Sequence, residues 1–416
     1  MINIPKGTKD VLPDESAKWQ YLEARARETA RLFGYREIRT PGFEHTELFL
    51  RGVGGTTDIV NKEMYTFLDK GGRSVTLKPE GTAGAVRCFI EKGLYNAPMP
   101  LGTYYFTPVF RYENPQSGRL REHHQFGVEV FGSASPRTDA EIILLADTYF
   151  RSLGIEGLTV HLNSIGCPDC RPAYQQALRE FYAGHLEELC PTCRERLDKN
   201  PMRILDCKEP GCAALNRGAP RTLDFLCGAC RDHFAALQEL LTEAGIPFEV
   251  DTGIVRGLDY YTKTVFEFVS EFLGAKSTVC GGGRYDNLVE SLGGKPTPAA
   301  GFGLGLERLI LTLENMGLPL PDPEPVRIYL LPIGAETVEP AFALCNRLRR
   351  AGIPARTDCM DRSVKAQFKY ADKLGVPFVG VLGGEELQKQ AVRLKNMATS
   401  EEKEVAWAEL PALLKA

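Results

Sequence analysis

Residues Tyr105 to Gly132 read YFTPVFRYENPQSGRLREHHQFGVEVFG. Two alternating apolar runs, Tyr105–Tyr112 and Gln125–Phe131, flank a polar turn centred on Asn114–Gly118. That pattern predicts an antiparallel hairpin with a long loop. Strands send alternate side chains to opposite faces. Phe110 and Tyr112 therefore share one face, Arg111 and Glu113 the other, and Gln125, Gly127 and Glu129 line one face of the second strand. Charges on the inner face of an apolar hairpin need partners, because unpaired buried charge is costly. One solution is a structural salt-bridge ladder. The other is a floor for a charged ligand, with arginine for phosphate or carboxylate and glutamate for an N–H donor.

Working outward, Thr76 to Val86 read TLKPEGTAGAV. Pro79 and Gly81 break a strand there, and Thr82 is placed to cap the helix that follows, leaving Glu80 and Thr82 on a turn open to ligand. Further upstream, Trp19, Leu22, Ala26, Ala30 and Phe33 recur at helical spacing within Asp14–Phe33, and a strand from Gly34 closes at Pro41. Downstream, Thr252 to Thr262 carry Arg256, Tyr260 and Tyr261 beside glycines and run into a strand at Val265–Val269. CGGGRYDNLVESLGG, Cys280–Gly294, reads as a glycine-rich strand-to-helix turn, although neither GxGxxG nor a GK[ST] phosphate loop is present. AAGFGLGLERLIL, Ala299–Leu311, alternates glycines that admit close backbone approach, then opens a helix at Gly305–Arg308. A helix N-terminus with Arg308 suits a phosphate.

The 416 residues allow two or three domains, and the net charge of −4 argues against a strongly basic nucleic-acid coat protein. No apolar run reaches the roughly 18–20 residues of a membrane span, and the N-terminus lacks a signal-peptide core, which predicts a cytoplasmic protein. Eight of the twelve cysteines lie between Cys167 and Cys230 in CPDC, CPTC, DCKEPGC and CGAC. Two C-x-x-C pairs can build a tetrahedral zinc site. Pro319, Pro321, Pro323 and Pro325 form a stiff linker. Beyond it, strand and helix alternate as in a small α/β domain. From Val326 onward 14 Lys and Arg face 11 Asp and Glu. Lys365, Lys369 and Lys373 fall on one helix face, with Phe368 and Tyr370 nearby for base stacking.

Phe110-Arg111-Tyr112-Glu113 followed by Arg119 to His123 resembles motif 2 of the class II aminoacyl-tRNA synthetases. The helix, strand and Pro41 resemble motif 1, and Gly305-Leu306-Glu307-Arg308 resembles motif 3. Arg256-Gly257-Leu258-Asp259-Tyr260-Tyr261 matches the histidine-specific signature of the histidyl-tRNA synthetases. The resemblance covers nearly the whole chain. It implies an α+β fold: an antiparallel catalytic sheet flanked by helices over residues 1–325, a helical, Cys-rich insertion at about 166–241, and an anticodon-binding α/β domain at 326–416. It implies a homodimer joined through motif 1, with L-histidine, tRNA(His), and ATP with magnesium as reactants.

By the same resemblance, Arg111 and Arg256 are catalytic. Glu80, Gly81, Thr82, Arg111, Gln125, Glu129, Arg256, Tyr260 and Tyr261 bind histidine. Arg111, Glu113, Arg119, His123 and Arg308 bind ATP. The family carries the insertion cysteines without a generally required metal, so the expectation is no metal and reduced structural thiols. One departure stands out: His123 occupies the place where the family usually has a phenylalanine stacked on adenine. The alternative function is a non-catalytic regulatory paralogue of ATP phosphoribosyltransferase, which the intact arginines and the C-terminal segment argue against.

Overall fold

The alternation in residues 105–131 produces the hairpin, and it is longer than its sequence pattern. In the computed structural model, Leu101–Phe110 pairs antiparallel with Glu122–Phe131, placing Tyr105 opposite Gly127 and Phe110 opposite Glu122. The structure describes residues 2–54, 57–116, 118–270, 277–323 and 325–415. Ser117, inside the predicted turn, lies outside them. The first strand stops at Phe110, so Arg111, Tyr112 and Glu113 belong to the loop rather than to strand faces. Tyr112 is exposed, with the Arg121 guanidinium 3.8 Å from its ring centre.

The chain divides into two compact units, Met1–Pro321 and Asp322–Ala416. In chain order the strands of the first are β1 (Arg36–Glu37), β2 (Phe43–His45), β3 (Tyr65–Leu68), β4 (Ser74–Leu77), β5 (Leu101–Phe110), β6 (Glu122–Phe131), β7 (Thr159–Ser164), β8 (Phe248–Val250), β9 (Thr262–Ser270), β10 (Ser277–Arg284) and β11 (Ala299–Gly305). Eight form the main sheet in the order β1-β5-β6-β11-β10-β9-β7-β8, antiparallel except at its two edge pairs, β1·β5 and β7·β8. β2, β4 and β3 make a small separate sheet. The strand expected from Gly34 to Pro41 shrinks to two residues, Arg36 and Glu37. The CGGG run of residues 280–283 lies inside β10, not in a turn; the turn follows at Tyr285–Asn287.

One face of the main sheet is sealed by helices. Leu22, Ala26 and Ala30 of the helix Pro13–Leu32 and Ile142, Leu145, Ala146 and Tyr149 of Pro136–Ser152 pack on Phe126, Val128, Phe266, Phe268 and Phe302. The Leu, Ile and Phe side chains among them each contribute about 1.5–3 kcal/mol on burial. The alternate residues of β6, namely Gln125, Gly127 and Glu129, then point away from that core.

A polar knot ties the sealed face together. Arg284, at the end of β10, is fully buried and donates to Asp139, Asp286 and the carbonyls of Ser133 and Ser135. Asp139 also accepts from Thr264 at 2.6 Å and meets His233 Nε2 at 2.6 Å. His233 sits on the helix Gly228–Glu243, which closes the insertion and returns Phe234, Leu237 and Leu241 to the main core. The insertion itself, with helices Arg171–Ala183, Pro191–Lys199 and Pro210–Asn216, builds a core of Tyr174, Leu178, Tyr182, Leu197 and Ile204.

The second unit holds β12 (Ile328–Pro332), β13 (Ala355–Thr357), β14 (Phe378–Leu382), β15 (Ala391–Asn396) and β16 (Glu402–Ala406), ordered β13-β12-β14-β15-β16. The first three are parallel and the last two antiparallel. The chain is thus α+β, with a second α/β sheet. Lys365, Lys369 and Lys373 do share an exposed face of the helix Val364–Lys373. Phe368 and Tyr370 turn the other way, into the core under β12 and β14, and Arg362 covers the Tyr370 ring at 4.2 Å. Both rings are half-buried and lend part of their surface to packing.

Candidate active site

A cavity of about 780 Å³ opens in the first unit beside β6, β10 and β11. Seven predicted site residues line it: Arg111, Glu113, Arg119, His123, Gln125, Arg256 and Arg308. They come from three separate stretches, and the sheet order explains their meeting: β11 pairs with both β6 and β10, so the loops and helix at these strand ends share one edge.

Arg111 is fixed by its Nε, which donates to the Pro79 carbonyl at 2.8 Å and so links the hairpin to the Glu80 turn. Its nearest carboxylate oxygen, on Glu113, is 4.0 Å away, and Arg119 stands 3.7 Å from the other oxygen. Such long contacts leave both guanidinium groups with donors to offer a ligand. Arg308, in the first turn of the helix Leu306–Asn315, is held by the Thr278 carbonyl at 2.6 Å. Burial, with Arg119 nearby, lowers its pKa. Arg256 pairs with Glu267 of β9 and lies 5.8 Å from the Tyr261 ring centre. Burial works against its charge, and Glu267 more than offsets this, so its pKa rises. The guanidinium fits only because residue 281 is glycine: a Cβ there would run into it.

The remaining predicted residues, Glu80, Gly81, Thr82, Glu129, Tyr260 and Tyr261, do not line the cavity but form a cluster adjoining it, buried except for the half-buried Thr82. Glu129 is fully buried and accepts from the hydroxyls of Thr82 at 2.8 Å, Tyr105 at 2.8 Å, and Tyr285. Burial pushes its carboxyl up to about 8, despite those donors. Three hydroxyls fill three of roughly four acceptor positions on a carboxylate. Glu80, not Thr82, caps the helix Thr82–Glu91: its two oxygens accept the backbone N–H groups of Thr82 and Ala83, each at 2.7 Å. Thr82 begins the helix and spends its hydroxyl on Glu129, which corrects the capping role expected for it. Tyr260 packs between Tyr261, tilted at 4.7 Å, and Tyr285, edge-on at 5.5 Å.

Adjacent histidines on β6 are treated oppositely. His123 lines the cavity, and burial, with Arg111 close by, lowers its pKa to about 3, so it is neutral at physiological pH. His124 faces the other way, against Trp19 at 5.0 Å, with Glu307 3.0 Å from its Nδ1. That carboxylate raises its pKa.

Several residues of this site were not singled out from sequence. Glu267 could have been: it interrupts the apolar run Val265–Val269, and an uncompensated charge in a strand asks for a partner. Tyr105 and Tyr285 carry no such signal, because a tyrosine in a strand reads as ordinary core. Arg203, which donates to Asp259 at 2.8 Å and to the Arg256 carbonyl at 3.1 Å, reaches in from the insertion, and nothing local announces that contact.

A mostly antiparallel sheet with a long-looped hairpin as floor, a glycine-lined neighbour strand leading into a helix, and arginines converging from both is the arrangement of a class II aminoacyl-tRNA synthetase. The comparisons narrow this. Residues 7–309 match the family model for histidyl-tRNA synthetase, and 327–416 match the anticodon binding domain. The chain is 55% identical to a histidine--tRNA ligase of Caldanaerobacter subterraneus subsp. tengcongensis over 99% of both chains. It is 53% identical to that of Caldicellulosiruptor saccharolyticus over 97% of this chain and 96% of the other. A crystal structure of apo Staphylococcus aureus histidyl-tRNA synthetase superimposes over 100% of both chains with a TM-score of 0.85 and 38% identity. The chain belongs to the histidyl-tRNA synthetase family.

Proposed function

We propose that this chain ligates L-histidine to tRNA(His) in two displacements. The histidine carboxylate attacks the α-phosphorus of ATP, releasing pyrophosphate and forming histidyl-adenylate. A ribose hydroxyl at the tRNA terminus then attacks the adenylate carbonyl, releasing AMP. The observation that carries this reading is the convergence of Arg111, Arg119, Arg256 and Arg308 on one cavity beside a buried, carboxylate-bearing cluster. Charge grows on phosphate oxygens in the first transition state, where fixed cations are most effective. Arg111 and Arg256 take opposite sides of the α-phosphate and carboxylate. Arg119 and Arg308 take the terminal phosphates, and Glu113 takes the adenine amino group. No side-chain nucleophile is required, because holding two reactants in register supplies much of the rate.

Glu80, Gly81, Thr82 and Gln125 receive the histidine ammonium, and Glu129 with Tyr260 and Tyr261 the imidazole. The lone pairs of Glu80 left beyond its two backbone donors support this. Magnesium enters with the nucleotide and favours oxygen ligands, which carboxylates of the lining other than Glu113 offer. The second unit reads the anticodon arm, with the lysine face of the helix Val364–Lys373 as its electrostatic contact. Exposed Phe43, Phe67 and Leu68 on the small sheet support a homodimer, and cysteines that form no disulfide among the described residues support a cytoplasmic setting.

Histidine-dependent ATP–pyrophosphate exchange, followed by charging of tRNA(His), tests the reading. Exchange with histidine and not with other amino acids is the expected result. A folded protein that exchanges nothing would favour the regulatory paralogue instead.

A further inference from the structure

We infer that the insertion holds two structural zinc ions, each bound by four cysteines: Cys167, Cys170, Cys227 and Cys230 in one site, and Cys190, Cys193, Cys207 and Cys212 in the other. This goes beyond the catalytic reading and replaces the metal-free expectation from sequence. In each group the four sulfurs lie within 4.8 Å of one another. The separations Cys167–Cys170, Cys167–Cys227 and Cys190–Cys207 are 3.6, 3.9 and 3.8 Å. A tetrahedron with Zn–S bonds of about 2.3 Å has edges of about 3.8 Å. A disulfide would bring two sulfurs to about 2.05 Å. An iron–sulfur cluster, the other common acceptor of four thiolates, spreads its cysteines around a multi-iron core and farther apart than these.

Convergence of this kind is not what apolar packing produces. A buried thiol behaves as a small hydrophobe and needs no second thiol beside it, let alone three. The two groups are also built alike. In each, a C-x-x-C pair opens a helix, Cys227 and Cys230 on Gly228–Glu243 and Cys190 and Cys193 on Pro191–Lys199. In each, the first cysteine of that pair donates its backbone N–H to a sulfur of the opposite pair: Cys227 to Cys170 at 3.2 Å and Cys190 to Cys212 at 3.3 Å. Such N–H···S bonds are the outer contacts that orient thiolate ligands. Before the remaining pair of the first site, Gly166 takes φ +68°, and a Cβ there would stand 2.7 Å from the Cys170 Cβ, so the turn presenting Cys167 and Cys170 is specialised for that pairing.

The sites are nested. The first joins the start of the insertion, just after β7, to its end, where the chain returns to the main core. The second staples the tip. Four protein ligands leave no open coordination position, so both ions are structural. The second site has a consequence for the cavity, since Cys190, Cys207, Arg196 and Arg203 all line it. Arg196 reaches Asp58 at 2.9 Å, and Arg203 braces the Arg256–Asp259 segment. The inner zinc thus fixes the wall from which Arg256 is presented.

Elemental analysis of the full-length protein, purified without chelator and exchanged into metal-free buffer, decides the matter. Two zinc ions per chain are expected. One or none, or iron in their place, overturns the inference. Cys170→Ser and Cys193→Ser should each lower the count to about one, and an unchanged count in a soluble variant overturns the site assignment. Should either variant fail to fold, the wild-type protein produced in cobalt medium gives the same answer. Two cobalt ions per chain with thiolate-to-cobalt charge-transfer bands support two tetrathiolate sites, and cobalt bound without those bands overturns them.

Discussion

Two arginine–carboxylate pairs each take one member from neighbouring strands of the same sheet, Arg284 from β10 and Glu267 from β9, and they do different work. Arg284 and Asp139 are sealed, with every approach filled: Arg284 meets two carboxylates and two carbonyls, and Asp139 also engages Thr264 and His233. Arg256 and Glu267 have the same chemistry but border a cavity, and among the described residues the Nε of Arg256 finds no hydrogen-bond partner. A closed network fixes geometry and has nothing left to give a ligand. An incomplete one keeps a donor in reserve for charge that arrives with substrate. The difference lies in what surrounds each pair, since the residue types are the same.

Breaking the sealed pair should have the largest effect, and on stability. Asp139→Ala leaves Arg284 buried without its main anion, and removing one partner of a buried pair costs about 3–5 kcal/mol. Denaturant melts should show that loss. A change below about 1 kcal/mol would mean that Asp286 alone suffices for Arg284.

Opening the cavity pair should do the reverse. Arg256→Ala is expected to leave the denaturation midpoint within the scatter of surface variants. Pyrophosphate exchange should slow by about 10²–10³-fold in kcat, the usual cost of removing one donor to developing negative charge. Histidine binding should stay measurable by calorimetry. A rise in KM with kcat unchanged would place Arg256 in ground-state binding instead.

How far these pairs could be foreseen follows from the range of the signal. The hairpin was legible because alternation is local, and Arg111, Glu113 and Arg119 came with it. Arg256 was legible because its motif is contiguous. Asp139 and Arg284 are 145 residues apart, and neither neighbourhood carries a mark of the other. The cysteines lie between these cases: the C-x-x-C pairs are visible, but which pair joins which is set by the path of the helices between them. β15 and β16 went unnoticed because AVRLKN and EKEVA hold too few apolar residues for their alternation to stand out.

The buried cluster adjoining the cavity adds a pH test. At neutral pH the free Glu129, held at about 8, is mostly protonated. A bound histidine presents N–H donors and favours the carboxylate, so binding must release a proton. Histidine affinity should therefore rise about fivefold to tenfold from pH 7 to 8.5, a proton coupling of at most tenfold per pH unit. Glu129→Gln should bind more weakly and lose most of that slope. An identical slope in the variant would assign the dependence to the ligand's own groups.

The smallest effect concerns His123, and it separates a ring that serves the cavity from one that merely borders it. Its neighbour His124 is engaged by Glu307 and Trp19 and is unavailable to a ligand. His123 lines the cavity with Arg111, Arg119 and Arg308, and that environment keeps its ring uncharged. A neutral imidazole is planar and can lie against adenine, but its face is smaller than that of the phenylalanine usual in the family. Stacking a base on an aromatic contributes about 1–3 kcal/mol, and the lower end suits the smaller ring. His123→Ala should then raise the KM for ATP about fivefold with histidine KM unmoved, and His123→Phe should leave it equal or lower. Because the folded pKa lies well below neutrality, protonation begins only as pH falls toward about 3, so the ratio of variant to wild-type KM should stay flat from pH 6 to 8. A ratio that changes across that interval would mean that the ring titrates near neutrality, and that the arginines around it do less than their positions imply. Wild-type KM for ATP in both variants would remove the stacking role and leave adenine to the apolar groups of the cavity wall.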